Sequence, residues 1–184
     1  MRRFFLADDT PLPCAVRGGT WLIGNFDGVH LGHQAMIAEV RARFGVAKVL
    51  TFDPHPRAFF GSSPLLLTAV PEKLARLEQA GAAACVVRRF DAVFAAHDAG
   101  AFIRAVLQRQ LGAGRVAVGP DFRFGTGRSG DVALLQKYLK VHVFESFRDE
   151  GGQPYSSSRI REALAAGNVA AAEKLLGHQV NQGN

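Results

Sequence analysis

Two histidines three residues apart, His30 and His33, close the string IGNFDGVHLGH at residues 23–33, where an apolar strand-like run meets a glycine-bearing turn and then a helix-forming stretch. Glycine in such a turn lets the backbone approach a ligand closely, and a helix N-terminus offers unpaired N–H groups and partial positive charge, which suit phosphate. Gly24, Asn25, Phe26 and Gly32 belong to the same string and are candidates for the same phosphate contact. A capping histidine beside an exposed one is the plain alternative. Zinc ligation would need a third and fourth ligand, which no recognised spacing supplies. The string as a whole favours phosphate binding with no protein metal site.

Three further strings carry candidate chemistry. In TFDPHP (51–56), Pro54 and Pro56 fix the backbone around His55 and present its ring from a rigid loop, with Phe59 and Phe60 following as walls for a flat ligand or as core. In VGPDFRFGTGRSG (118–130), Gly127, Arg128 and Ser129 imitate the end of a P-loop. The glycine needed five residues before Gly127 is Phe122, however, and the lysine is absent, so the P-loop reading fails. Asp121 and Phe124 in that loop suit closure over an aromatic substrate, and the competing reading is a surface loop. In YSSSRIR (155–161), serines such as Ser157 and Ser158 commonly cap a helix, while Arg161, one turn inward, is placed to point back toward a phosphate at the same N-terminus.

Short apolar runs at 21–23, 49–52, 85–87, 116–118 and 141–144 read as buried parallel strands. Between them, 34–43, 71–80, 99–111 and 132–140 have helical composition. In the third of these, Phe102, Ile103, Val106 and Leu107 share one face, with Asp98 as N-cap. The alternation predicts an α/β fold, a parallel sheet with helices on both faces. Residues 157–166 and 169–176 form a C-terminal helical hairpin, with Gly167 ending the first helix, Asn168 capping the second and Gly177 closing it. The loop-like stretches 53–64, 119–130 and 145–155 all follow strands, and ligands of open α/β sheets bind at the carboxyl ends of strands.

A chain of 184 residues with 48% apolar and 21% charged residues is expected to form one domain, 1–184, and is neither disordered nor fibrous. No apolar stretch approaches the ~20 residues of a membrane span, and Asp8 and Asp9 interrupt the N-terminus before a signal core, so the expected compartment is the cytoplasm. Cys14 and Cys85 build neither a disulfide framework nor a zinc site. A net charge of +6 favours an anionic partner. The arginines are scattered rather than run together or interleaved with aromatics, which favours a phosphorylated small molecule over nucleic acid or a membrane surface.

Taken together and in order, the four strings resemble the FAD synthetase module of bacterial bifunctional riboflavin kinase/FAD synthetases, which carry GxFDGVHxGH, FxPHP, GxDFxFG and SSTxIR segments. The resemblance implies the Rossmann-like fold of the HxGH nucleotidyltransferase superfamily and transfer of AMP from ATP to FMN, with Mg²⁺ and release of pyrophosphate. It places His30 and His33 on the triphosphate, Ser157 and Arg161 on the phosphates with Ser158 beside them, and Pro54, His55, Pro56, Asp121 and Phe124 on the flavin side. The phosphate of FMN would itself attack, so the protein's work is positioning and charge stabilisation. No carboxylate cage is visible, and Mg²⁺ is expected to arrive with ATP.

Two departures keep the chemistry: Ser158 stands for threonine and Tyr155 for an aliphatic residue. The bifunctional relatives continue into a kinase domain with a Pro-Thr-Ala-Asn segment, so riboflavin kinase activity is expected to be absent. The alternatives are another superfamily member with a different acceptor or donor, a catalytically weak flavin- or nucleotide-binding paralogue, and a basic nucleic-acid-binding module.

Overall fold

The computed structural model describes residues 1–62 and 65–180; the end of the expected 53–64 loop and the last four residues lie outside it. Six strands, β1 (Arg2–Leu6), β2 (Thr20–Ile23), β3 (Ala47–Asp53), β4 (Ala84–Arg89), β5 (Arg115–Val118) and β6 (Lys140–Val143), form one sheet in the order β1-β4-β3-β2-β5-β6. Every pairing is parallel.

Side chains alternate across a strand, and burial of both faces explains the unbroken apolar runs. Trp21, Ile23, Leu50, Phe52, Val86, Val116 and Val118 enter one core layer, closed by Phe102, Ile103, Val106, Leu107 and Leu135. Leu22, Val49, Cys85, Val87 and Ala117 enter the other, covered by Ile37 and Val40 of α1 (Leu31–Phe44) and by Leu74 and Leu77 of α3 (Val70–Gln79). Helices therefore cover both faces, as expected. No described helix is long and apolar enough to cross a membrane.

Several details differ from the sequence reading, among them the short helices Pro56–Phe59, inside the expected 53–64 loop, and Ala92–Ala95. β1 was not anticipated: its apolar run, Phe4-Phe5-Leu6, follows directly on two arginines, and at the sheet edge it leaves Phe5 65% exposed, so it does not show the two-sided burial of the inner strands. The 132–140 helix is shorter, α6 (Val132–Gln136), and Lys140 already begins β6. The 99–111 helix starts as α5 (Ala99–Ala101), capped by Asp98, and continues as a π-helix over Phe102–Gln110 that keeps the expected buried face.

β2 is flanked by β3 on one side and β5 on the other. The chain runs outward through β3 and β4, then crosses to β5 and β6, so the direction of winding reverses at β2 and a crevice opens at its carboxyl end. The C-terminal hairpin, α7 (Ser157–Ala165) and α8 (Val169–Leu176), packs Ile160, Ala172, Leu175 and Leu176 together. Gln34 ties it to α1 by donating to the carbonyls of Val29 and Leu176 at 2.9 and 3.0 Å. The short helices α2 (Pro56–Phe59) and α4 (Ala92–Ala95) sit beyond the carboxyl ends of β3 and β4.

Candidate active site

The turn from β2 into α1 is held in a costly shape. Phe26 and Val29 have φ of 47° and 41°, between which Gly28 has φ of 82°. Left-handed backbone at non-glycine residues costs on the order of 1–3 kcal/mol each and persists only where the surroundings over-determine it. Here the restraint is Asp27, whose buried carboxylate accepts from the backbone N–H of Leu67 at 3.0 Å, from that of Thr68 at 3.2 Å, and from Arg161 Nη2 at 2.5 Å. Its carbonyl accepts from Ser157 Oγ at 3.0 Å, and Gly28 N–H donates to Thr68 Oγ1 at 3.1 Å. One turn is thereby fastened to the 65–68 segment and to the start of α7.

His30 caps α1, its Nδ1 accepting from the backbone N–H of His33 at 3.4 Å, which leaves the ring proton on Nε2. The His33 ring stacks on it at 3.6 Å between centroids and 21° between planes, with Phe26 at 4.9 Å. Burial pushes the His30 pKa down to about 4 against the pull of Asp27. Burial, then His30 and Lys73, push His33 well below the ordinary histidine range. Both rings are neutral near pH 7, and His33 Nδ1 is buried without a hydrogen-bond partner among the described residues. Gly32 has no room for a side chain unless its neighbours shift: a Cβ there would lie 2.9 Å from Tyr155 Cβ and 3.2 Å from the His30 ring. His55 repeats the capping device on α2, accepting from Arg57 N–H at 3.1 Å, and burial lowers its pKa as well.

Three cavities run together over these residues. A polar one of about 220 Å³ is lined by Asn25, Phe26, Asp27, His33, His55, Arg57, Ser157, Ser158 and Arg161. An aromatic one of about 460 Å³ is walled by Phe52, Phe60, Phe90, Phe94, Phe102, Phe122 and Phe124, half of the chain's 14 phenylalanines, with Gly24, Pro56 and Asp121 at its edge. A third of about 300 Å³ lies between the loops after β5 and β6, lined by His30, Gly32, His33, Met36, Gly119, Glu145 and Tyr155 among others. Asn25 and Arg57 line both the polar and the aromatic cavity, while His33 and Ser157 line both the polar cavity and the third. The result is one groove along the carboxyl ends of the central strands.

Most of the sequence-derived candidates thus converge. His30, His33, Asn25, Phe26, Gly32, Ser157, Ser158 and Arg161 gather at the polar and third cavities, and Pro56, Asp121 and Phe124 at the aromatic one. Gly24, expected with the nucleotide, lines the aromatic cavity; His55, expected with the flavin, lines the polar one; Pro54 lines none of the three. Arg161 is less free than expected, because its Nε also donates to the Leu65 carbonyl at 2.7 Å. The 119–130 loop is pinned: Phe124 and Gly130 exchange backbone hydrogen bonds, and Thr126 Oγ1 donates toward the carbonyls of Ala95 and His97, each at 3.0 Å.

Sequence reasoning missed the hub role of Asp27, the wall residues Phe90, Phe94 and Phe102, the shared position of Arg57, and Lys73. The last is a 5% exposed cation on α3 whose charge helps to depress His33. Phe102 had been identified only as part of a buried helix face. Among the described residues no group of three His, Cys, Asp or Glu side chains gathers to hold a metal ion, and both Asp27 oxygens are already engaged.

Residues 15–159 match the family model described as FAD synthetase. The bifunctional riboflavin kinase/FMN adenylyltransferase of Escherichia coli K12 is 43% identical over 166 residues, 85% of this chain and 53% of that one. A putative bifunctional riboflavin kinase/FMN adenylyltransferase of Geobacillus thermodenitrificans is 42% identical over 87% of this chain and 90% of that one. The chain spans about half the length of most curated relatives it matches, at 53–56% of theirs. A crystal structure described as a macrolide-efflux protein from Streptococcus pneumoniae superposes with a TM-score of 0.83 at 26% identity, covering 98% of this chain and 72% of that one. A pantoate-β-alanine ligase from Francisella tularensis superposes at 0.52 with 13% identity, over 95% of this chain and 85% of that one, which shows the shared fold alone.

Proposed function

The chain belongs to the FAD synthetase family, and from that premise we propose that it transfers AMP from ATP to FMN, giving FAD and pyrophosphate. The observation that carries the reading is the continuous groove, in which a polar cavity with the stacked His30–His33 pair at its edge is flanked by an aromatic cavity on one side and a second pocket on the other. A volume of about 460 Å³ with phenylalanine walls suits a flat ring system with few polar contacts. In this reading the isoalloxazine lies there with Asp121 and Phe124, the triphosphate lies along the polar cavity, and the base enters the pocket beside Gly119 and Glu145.

The reaction needs no nucleophile from the protein. A phosphate oxygen of FMN bonds to the α-phosphorus of ATP, the bond from that phosphorus to the α,β-bridging oxygen breaks, and pyrophosphate leaves with the electron pair. Catalysis is then alignment and stabilisation of charge developing on the α-phosphate and the leaving group. His30 offers Nε2–H, and His33 is a neutral ring in the wall of the polar cavity, able to donate one ring N–H. Ser157 and Ser158 line the cavity at the start of α7, where backbone N–H groups favour phosphate. Arg161 contributes through Asp27, holding the turn, and through the edge of its guanidinium left free. Among the described residues the carboxylates do not gather into a magnesium cage, so in this reading magnesium comes with ATP as its substrate complex.

Pyrophosphate release from ATP measured with a panel of acceptors tests the reading. FMN is expected to support turnover, while nicotinate mononucleotide and pantetheine phosphate are not. Turnover with either of these in place of FMN would move the protein to another branch of the superfamily.

A further inference from the structure

If rings fill the aromatic cavity and the triphosphate fills the polar one, the acceptor's own phosphate must sit where the two cavities meet, because its oxygen has to reach the α-phosphorus in line. Asn25 and Arg57 line both cavities. We propose that the guanidinium of Arg57, with the amide of Asn25 beside it, is the subsite for the acceptor's phosphomonoester, and that Arg57 is how this chain distinguishes a phosphorylated flavin from its dephosphorylated form. The inference rests on the adenylyl-transfer reading above and adds to it a residue that sequence reasoning passed over.

The main chain at Arg57 is fixed while its head group is not. Its N–H donates to His55 Nδ1, its carbonyl accepts from Ser62 N–H, and Pro56 precedes it. Among the described residues no acceptor is bonded to the guanidinium. The other arginines of the groove are differently placed: Arg161 is bonded to Asp27 and Leu65, Arg123 pairs with Asp131 at 3.1 Å and lines only the aromatic cavity, and Arg128 also lines only that cavity. Asn25 is held from behind, its carbonyl accepting from Thr51 Oγ1 at 2.9 Å.

Chemistry asks for a cation at that point. Bringing a phosphomonoester against a triphosphate sets like charges side by side. A planar guanidinium can bond two phosphate oxygens at once, which a point charge such as lysine does less well. His55, adjacent to it, is kept neutral by burial and supplies no competing charge. Riboflavin would fill the aromatic cavity equally well but leave the Arg57 subsite without a partner, so the residue should matter for FMN alone.

The test is equilibrium binding of FMN and of riboflavin, followed by quenching of flavin fluorescence, to the wild-type chain and to the Arg57→Gln, Arg57→Lys and Asn25→Asp variants. Arg57 is exposed, so its variants should keep the wild-type melting temperature. Arg57→Gln is expected to weaken FMN about 10- to 100-fold and to leave riboflavin unchanged, in line with loss of a charge-assisted pair. Arg57→Lys should recover part of the loss, and Asn25→Asp should weaken FMN selectively by placing a carboxylate against the phosphate. Equal losses for both flavins, or none for either, would overturn the assignment. A wild-type chain that makes FAD but binds FMN no better than riboflavin sinks the Arg57 subsite alone, whereas one that binds neither flavin sinks the adenylyl-transfer reading with it.

Discussion

The carboxylate of Asp27 and the guanidinium of Arg161 meet at 2.5 Å, although 134 positions separate them in sequence and their side chains are only 3% and 17% exposed. The pair, together with the Ser157 hydroxyl on the Asp27 carbonyl, fastens the strained turn after β2 to helix α7 and so sets the two sides of the polar cavity relative to each other. Removing one partner of a buried pair typically costs about 3–5 kcal/mol, because the other charge is left uncompensated. Asp27→Ala and Arg161→Ala are each expected to lower unfolding stability by roughly that amount in urea titrations. The double variant should lose clearly less than the sum of the two. Strict additivity would show that the two side chains do not act as a unit.

His33→Ala is expected to lower kcat about 10²- to 10³-fold, the usual loss for one donor aimed at developing charge, while leaving FMN affinity within a factor of about two. Steady-state kinetics combined with FMN titration separates the two effects. Normal turnover with weakened FMN binding would place His33 on the acceptor rather than on the triphosphate.

The histidine pair also fixes a pH dependence of stability. His30 is held near pKa 4 and His33 well below 6.5, whereas both return to about 6.5 on unfolding. Between those values the unfolded chain binds more protons than the folded one, so this stability is complete above about pH 6.5 and is lost as the pH falls toward 4. The His30 share is on the order of 3 kcal/mol. Urea unfolding at pH 7.5 and pH 5 should show the decrease, and His30→Asn, which keeps a cap on α1, should flatten it. Stability that rises on acidification across this window would contradict the assignment of neutral rings.

Gly32→Ala introduces a methyl group 2.9 Å from Tyr155 Cβ and against the His30 ring. Neither neighbour is the far end of a flexible chain, so the start of α1 or the Tyr155 segment must shift, at a cost of about 1–3 kcal/mol. The shift falls on the wall of the third cavity, which Gly32, His30 and Tyr155 line. The expected outcome is reduced affinity for a non-hydrolysable ATP analogue with FMN binding retained, measured by calorimetry. Unchanged nucleotide binding would mean that the packing there is looser than the geometry implies.

The sheet was largely legible because β2 to β5, buried on both faces, write themselves as apolar runs such as Trp21-Leu22-Ile23, and only the edge strand with Arg2 and Arg3 escaped. The histidines and the α7 serines were legible because helix starts have local signatures. Asp27 was not, since its partners Leu67, Thr68 and Arg161 become neighbours only through tertiary folding, and nothing local marks a carboxylate as a hub. The aromatic cavity was legible only in part: Phe90 and Phe102 come from separate segments, and a phenylalanine lining a cavity has the same sequence signature as one filling a core. His55 was placed with the flavin by its neighbouring phenylalanines, yet its capping of α2 turns its ring to the polar side.

The central claim is most directly tested by incubating the protein with FMN, ATP and Mg²⁺ and quantifying flavins and phosphates by chromatography against a protein-free control. Equimolar FAD and pyrophosphate, formed at the expense of FMN and ATP, is the expected result. ATP cleaved without FAD, or FMN and ATP recovered unchanged with a folded protein, would contradict adenylyl transfer as the function of this groove.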